Sequence, residues 1–306
     1  MRIAIAGSGG LAQTFAHYIN ETAHQFVILS RVARPQLTAL GYQVLVVDYD
    51  DQTDLQFNLR GIDLVISTVS GNPQINLIDA AAVSNVRRFV PAEFEGPPSR
   101  RPNNDPLDRG RAACLDRLRH WSHKRRPMRS TIFSCGVFYE RFARGGLAAM
   151  GIGLSTGVSY QGSYLMDIEA GTAEIVERTL SGEATTISMV SVNDLGRFLV
   201  AAIALDPQTW PGEFSMQGDR RTVAEVLQWA ETVRGGAQFS TDVIEPGDLA
   251  AHLQHATYYQ DWIKVHRIQE LIATEQRRYD LVNPNLNALV NVIPITFWDW
   301  LKAHWA

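Results

Sequence analysis

Over the first 135 residues, short runs rich in Ile, Val, Leu and Phe alternate with longer amphipathic stretches, the pattern of repeated βα units. Six strands are predicted, at residues 2–6, 25–29, 43–47, 63–67, 88–90 and 129–134, bounded by Gly, Pro, Asp or Asn as strands of a buried parallel sheet are. Helices are predicted between them at 11–22, 53–59, 73–84 and 106–123. Pro73 and Pro106 then fall in first turns, where a missing N–H costs nothing. The proline-rich segment 95–106 reads as an exposed loop after the fifth strand.

Beyond residue 151 the alternation breaks. Strands at 158–162, 185–188 and 238–243, amphipathic helices at 191–205 and 222–233, and a terminal helix at 296–304 predict a smaller second lobe. Trp298, Trp300 and Trp305 in or beside that helix are read as lobe core or as a homodimer contact. The expected fold class is α/β: a Rossmann-type doubly wound parallel sheet with a smaller C-terminal α+β lobe. The expected division is 1–155 and 156–306, with the segment near 186–218 packing back onto the first domain.

Composition narrows the class. Of 306 residues, 45% are hydrophobic and 20% charged, which excludes a disordered chain, a collagen-like fibre and a coiled coil. A formal charge of −4, from 28 basic and 32 acidic residues, provides no global field for nucleic acid or an anionic membrane. The nine arginines between Arg100 and Arg129 have the spacing of a solvated helix face. No run approaches the roughly 20 apolar residues that span a bilayer. Cys114 and Cys135 are too few for a disulfide framework, so a cytoplasmic protein is expected. The pairs His120/His123 and His252/His255 lack a third ligand, so no metal site is expected.

Directly after the first predicted strand stands Gly7-Ser8-Gly9-Gly10-Leu11-Ala12, which fits G-x-G-x-x-A and opens the first predicted helix. In that context the first glycine permits a tight turn and the second lets backbone N–H groups approach a pyrophosphate. The small third residue lets helix and strand pack closely. The helix N-terminus adds positive potential. The competing reading, a glycine turn with no nucleotide, is disfavoured by the flanking strand and helix. At the end of the second strand, where an acid would bind the ribose 2′-hydroxyl of NAD, the chain has Arg31, with Arg34 one turn later. Two guanidinium groups there favour the 2′-phosphate of NADP(H). A solvated surface role is the competing reading for Arg34.

Several blocks then share one resemblance. Arg87-Arg88-Phe89-Val90-Pro91-Ala92-Glu93-Phe94 resembles the R-F-x-P-S-E-F-G signature of the NmrA-like and isoflavone-reductase-like proteins, a branch of atypical short-chain dehydrogenases. Val46-Val47-Asp48-Tyr49-Asp50-Asp51 is similar to that family's V-x-x-D-x-x-D, residues 61–67 to its G-x-D-x-V-I-S, and residues 191–198 to its V-x-D-I-G-R-F. The resemblance covers almost the whole chain. It implies a Rossmann domain holding NADPH, a C-terminal substrate lobe, and a cleft between them suited to flat aromatic or polycyclic molecules. The implied cofactor and cleft residues are Asp48 and Tyr49; Thr68, Val69, Ser70 and Gln74; Pro91, Ala92, Glu93 and Phe94; and Cys135, Gly136 and Phe138.

One departure from the family is large. Its reductases place a lysine near the start of the helix preceding the sixth strand, and here Arg111 takes that place. Lysine occurs only at Lys124, Lys264 and Lys302, and no Y-x-x-x-K pair exists, because His120, Gln260 and Trp298 stand four residues before them. Arginine stays protonated to pH ~12, so it positions charge but is a poor general acid. Tyr139, Tyr160 and Tyr164 are the remaining hydroxyl donors, although packing is the commoner role of a tyrosine. A ketone reduced to an alkoxide needs a proton, whereas an iminium does not. The expected activity is therefore NADPH-dependent reduction of a small polycyclic or aromatic natural product at an iminium or conjugated carbon. A cyclase using the same cleft with bound cofactor, and a non-catalytic NADP(H)-sensing regulator, are the alternatives.

Overall fold

A computed structural model describes residues 1–154 and 156–305. The first part of the chain folds as β1 (Arg2–Ala6), α1 (Gly10–Asn20), β2 (Gln25–Ser30), α2 (Pro35–Ala39), β3 (Val44–Val46), α3 (Gln52–Asn58), β4 (Leu64–Ser67), α4 (Asn72–Val83), β5 (Arg88–Val90), α5 (Arg111–Ser122) and β6 (Arg129–Ser130). There follow β7 (Ile132–Ser134), β8 (Val137–Phe138), β9 (Met166–Asp167), β10 (Thr172–Ile175), β11 (Thr186–Val190), α6 (Val192–Ile203), β12 (Glu213–Ser215), β13 (Asp219–Thr222) and α7 (Val223–Val233). The chain closes with β14 (Ser240–Val243), α8 (Leu249–Tyr258), α9 (Trp262–Glu275), α10 (Asn285–Leu289) and α11 (Phe297–Trp305). Two compact units result: Met1–Phe94 with Asp108–Phe133 and Gly196–Phe214, and Glu95–Leu107 with Ser134–Leu195 and Ser215–Ala306. The expected boundary residue, Ser155, and the last residue, Ala306, lie outside the described residues.

The first unit is a Rossmann-type sheet. Its six strands run in the order β3-β2-β1-β4-β5-β6, and every neighbouring pair is parallel. Ile, Val and Leu fill these strands because both faces are covered: Ala4, Val27, Val65 and Phe89 pack with Leu77, Ile78 and Leu118 in one cluster. The winding reverses between β1 and β4. Loops leaving the carboxyl ends of those two strands diverge there, which is where such sheets bind ligands. The register sets Ala6 against both Leu29 and Ser67, so Gly7, Ser30 and Thr68 emerge at one end.

Two expectations in this unit need correction. The strand predicted at 129–134 is two strands: Thr131 N still bonds Phe89 O, but Ile132 N turns to Gly212 O, and β7 pairs with β12. The change of partner ends β6. The helix predicted from 106 begins at Arg111, because Arg109 and Gly110 take left-handed conformations (φ 52° and 79°) that a helix cannot contain. Pro106 therefore precedes a turn, in which the Asp105 carboxylate accepts from Leu107 N and that of Asp108 from Ala112 N.

The second unit holds two three-stranded sheets, β14-β10-β9 and β13-β11-β8. Its core is aromatic, with Tyr139, Phe142, Tyr164, Tyr279, Phe297, Trp300 and Trp305 buried together. The strand expected at 158–162 is absent. That segment closes on itself as a turn, with Ser163 bonding Val158 O and Tyr160 O and Gly162 at φ 72°, and the strand follows as β9. Helices α8 and α9 were not expected. Asp261, whose side chain accepts from Lys264 N, caps α9.

Candidate functional site

The turn from β1 into α1 is built to stay open. Gly7 has φ +102°, and a Cβ there would lie 2.3 Å from Thr68 Oγ1, so only glycine fits. Its N–H meets Leu29 O at 2.9 Å and the Tyr49 hydroxyl at 3.1 Å. That hydroxyl in turn donates to Leu29 O at 3.0 Å, tying β2 to the turn. Burial pushes the Tyr49 phenol well above its ordinary range, with Gly7 N–H and Arg31 opposing, so it acts as a fixed strut. Gly9 is the N-cap of α1 and supplies no capping side chain, and no acid stands in the first turn. The first amides of α1 are thus left to an anion or water. Ala12 is fully buried, as a small residue at that position must be.

At the end of β2 the side chains form a relay. Arg34 Nε donates to Ser8 Oγ at 2.9 Å, Ser8 and Ser30 hydroxyls are 3.0 Å apart, and Ser30 Oγ donates to Val32 O at 2.8 Å. Because Ser30 spends its proton on Val32, Ser8 is the donor between them. Ser30 was not singled out from the sequence; a serine ending a buried strand beside a glycine turn is the signal that could have found it. Arg34 is therefore anchored over the turn. Arg31 is exposed and has no hydrogen-bond or ion-pair partner among the described residues.

The remaining loops of this end divide into exposed and buried positions. Asp48 is exposed, its carboxylate accepting from Asp50 N, and Asn76 of α4 donates to Tyr49 O. The Thr68 hydroxyl donates to Ala6 O, and the Ser67 hydroxyl to Val69 O; Ser70 is exposed. Gln74 is fully buried and accepts from Ala92 N at 2.8 Å, so it joins the first turn of α4 to the loop after β5. Pro91 and Glu93 are buried, Glu93 N bonding Pro91 O, and Phe94 packs 5.1 Å from Phe15. The start of α5 abuts the β4–α4 loop, since a Cβ on Gly110 would lie 3.3 Å from Gly71 Cα. Arg111, its first residue, is buried with Nε donating to Asp108 O at 2.9 Å.

In the second unit the corresponding side chains are enclosed. Cys135 N bonds Glu95 O, and burial drives the thiol pKa well up, leaving an unreactive neutral sulfhydryl. Gly136 has φ +71°, and a Cβ there would lie 2.0 Å from Ser188 O. Phe138 is buried in β8, opposite Val190. The Tyr139 hydroxyl donates to Ile295 O at 3.1 Å, and its ring packs on Phe297 and Trp300. Tyr164 donates to Thr274 Oγ1 at 2.8 Å, since the threonine proton goes to Glu270 O. Burial raises both phenols. Glu140, also buried, accepts Val192 N through both oxygens. Burial pushes its carboxyl up to about 7. Nothing in the sequence around Glu140 distinguishes it from a surface glutamate.

Comparison with known proteins agrees with this geometry. The family model described as NmrA-like family matches residues 2–237. The oxidoreductase BOA1 of Botryotinia fuckeliana is 25% identical over 283 residues, 86% of this chain and 88% of that protein. A crystal structure of isoflavone reductase superposes with a TM-score of 0.73 at 17% identity, covering 99% of this chain and 98% of that one. The leucoanthocyanidin reductase–NADPH complex of Vitis vinifera gives 0.71 at 17% identity over 99% of each chain. At such identity the structural likenesses concern the fold.

Proposed function

The chain belongs to the NmrA-like family, and from that premise we propose that it is an NADPH-dependent oxidoreductase of a small aromatic or polycyclic molecule. The observation that carries the reading is Arg31, an exposed guanidinium at the end of β2 with no hydrogen-bond or ion-pair partner among the described residues, together with the uncapped N-terminus of α1. The residues present fit the dinucleotide: the Gly7–Ala12 turn and the amides of α1 would hold the pyrophosphate, while Arg31 and Arg34 would take the 2′-phosphate. The relative named as an oxidoreductase and the reductase solved with NADPH support this assignment.

When bound, the cofactor supplies hydride. The chain's own residues limit what that hydride can reduce. Hydroxyls of Tyr139 and Tyr164 are used inside the aromatic core. Lys124 sits over Trp121, Lys264 lies 3.4 Å from Glu174 and Lys302 pairs with Asp299. Arg111 is held on Asp108 and contributes charge rather than a proton. The favoured acceptor is thus a carbon made electron-poor by a cationic nitrogen or by conjugation, whose reduction leaves no alkoxide to protonate.

Titration calorimetry with NADPH and NADH tests the cofactor, with at least tenfold preference for NADPH expected; equal affinities would overturn it. Turnover of matched iminium, enone and ketone compounds tests the reaction. Fast ketone reduction with no iminium turnover would refute the acceptor class, and product formed without NADPH consumption would indicate cyclisation instead.

A further inference from the structure

The first unit carries a cavity of about 640 Å³ where the strands of its sheet begin rather than where they end. Leu64, Arg88 and Arg129, the first residues of β4, β5 and β6 or their immediate neighbours, line it. The glycine turn leaves the other end of β1, a strand of five residues that at about 3.3 Å each separates the two ends by roughly 15 Å. The cavity therefore cannot share a ligand's phosphates with that turn.

Its walls are cationic. Arg87, Arg88, Arg126 and Arg129 face it together with Asp63 and Asp206. Both carboxylates have other work: Asp63 accepts Arg2 N at 3.0 Å and has Arg87 at 4.0 Å, and Asp206 caps its own turn through Gln208 N. Arg88 is only 4% exposed and has no carboxylate within ion-pair distance among the described residues. Its Nη1 donates to Thr131 Oγ1 at 2.6 Å, and its guanidinium lies 5.3 Å from the ring centre of Trp210. Both partners are neutral. Burial and then the charge of Arg129 push Arg88 down to about 10 against the opposing pull of Asp206, so it is still charged at neutral pH. A buried cation with no carboxylate in contact is costly, and the more distant Asp206 offsets only part of that cost, so an anion joining it would be favourable. Leu64, Val86 and Pro127 add apolar surface, and the volume lies in the range of small-molecule sites.

From this cavity and its unpaired guanidinium we infer a binding site for a small organic anion, with a carboxylate or phosphate head on Arg88 and Arg129 and an apolar body against Leu64 and Val86. It is separate from the cofactor and substrate reading above and does not depend on it.

Calorimetry on the full chain, with and without NADPH, at low ionic strength, tests the site with 2-naphthoate, the neutral 2-naphthalenemethanol and inorganic phosphate. Naphthoate should bind, with the alcohol and phosphate each at least tenfold weaker. Arg88→Leu should weaken naphthoate at least tenfold. Because that residue is buried, the exposed Arg129→Gln, expected to weaken binding several-fold, serves as the variant least able to disturb folding. NADPH affinity should stay within twofold in both. No naphthoate binding at millimolar concentration, or equal binding of the alcohol, overturns the anion site. Phosphate binding as tightly as naphthoate overturns the apolar part. Naphthoate affinity lost in Arg31→Ala but kept in Arg129→Gln would move the ligand to the opposite end of the sheet and also overturn the assignment.

Discussion

Arg31 and Arg141 are the same residue in opposite circumstances. Arg31 stands exposed at the carboxyl end of β2 with no hydrogen-bond or ion-pair partner among the described residues. Arg141, in the second unit, is folded 4.4 Å over the ring of Tyr164 and lies 3.5 Å from the buried carboxylate of Glu270. The contrast extends to their neighbours. Around Arg31, the amides of α1 have no side-chain cap and the hydroxyls of Ser8 and Ser30 only brace the loop. Around Arg141, the Tyr279 hydroxyl donates to Glu270 and Tyr164 to Thr274. A parallel sheet must release its loops at strand ends, and their backbone donors stay available there. A unit closed by aromatic side chains pairs most of the polar groups it buries, although Arg141 Nε and Nη2 keep no hydrogen-bond partner among the described residues. Unpaired charge thus marks sites of binding, and paired charge marks the framework.

The largest effect should come from the open end. Gly7→Val places a side chain in a left-handed backbone and against Thr68, costing about 1–3 kcal/mol for conformation and about 1–3 kcal/mol more for overpacking. Thermal unfolding should show a large loss of stability, and NADPH titration a loss of binding. A variant that keeps both would remove the basis for the open turn.

Next is the closed unit's titrating group. Glu140 has a folded pKa of about 7, above its unfolded 4.5. The folded state therefore holds a proton the unfolded state has released, so the contribution is full below about 4.5 and is lost as pH rises to about 7, a span of about 3 kcal/mol. Glu140→Gln, neutral at every pH, should match the wild type in stability near pH 5 and exceed it near pH 8. Parallel stability curves for the two proteins would show that Glu140 titrates normally.

Arg31→Ala should weaken NADPH by about 1.5–3 kcal/mol, one charge-assisted contact, while leaving NADH unchanged. Calorimetry with both cofactors reads the difference, and equal losses would end the 2′-phosphate assignment. The smallest effect should be that of Tyr164→Phe, about 0.5–1.5 kcal/mol of stability for one internal hydrogen bond, with turnover unaffected. A large loss of kcat at preserved stability would make Tyr164 catalytic and break the contrast between the units.

The alternation of apolar runs and amphipathic stretches, the glycines of residues 7–10 and the arginine after β2 were legible in the sequence alone. Each is a local requirement: a strand buried on both faces must be apolar, and Gly7 must be glycine at φ +102°. The switch of partner that ends β6 at Thr131 and the fate of Tyr139, Tyr164 and Glu140 were not legible. Those depend on residues far along the chain, such as Gly212 for Ile132, Thr274 for Tyr164 and Val192 for Glu140. The cavity at Arg88 belongs to the same class, since only the folded sheet brings residues 64, 88, 129 and 206 to one wall and leaves the Arg88 guanidinium with no carboxylate in ion-pair contact among the described residues. Sequence determined which segments could bury themselves and which turn could admit an anion. Tertiary structure decided which polar groups were left unpaired, because that depends on long-range partners and on the water each burial removes.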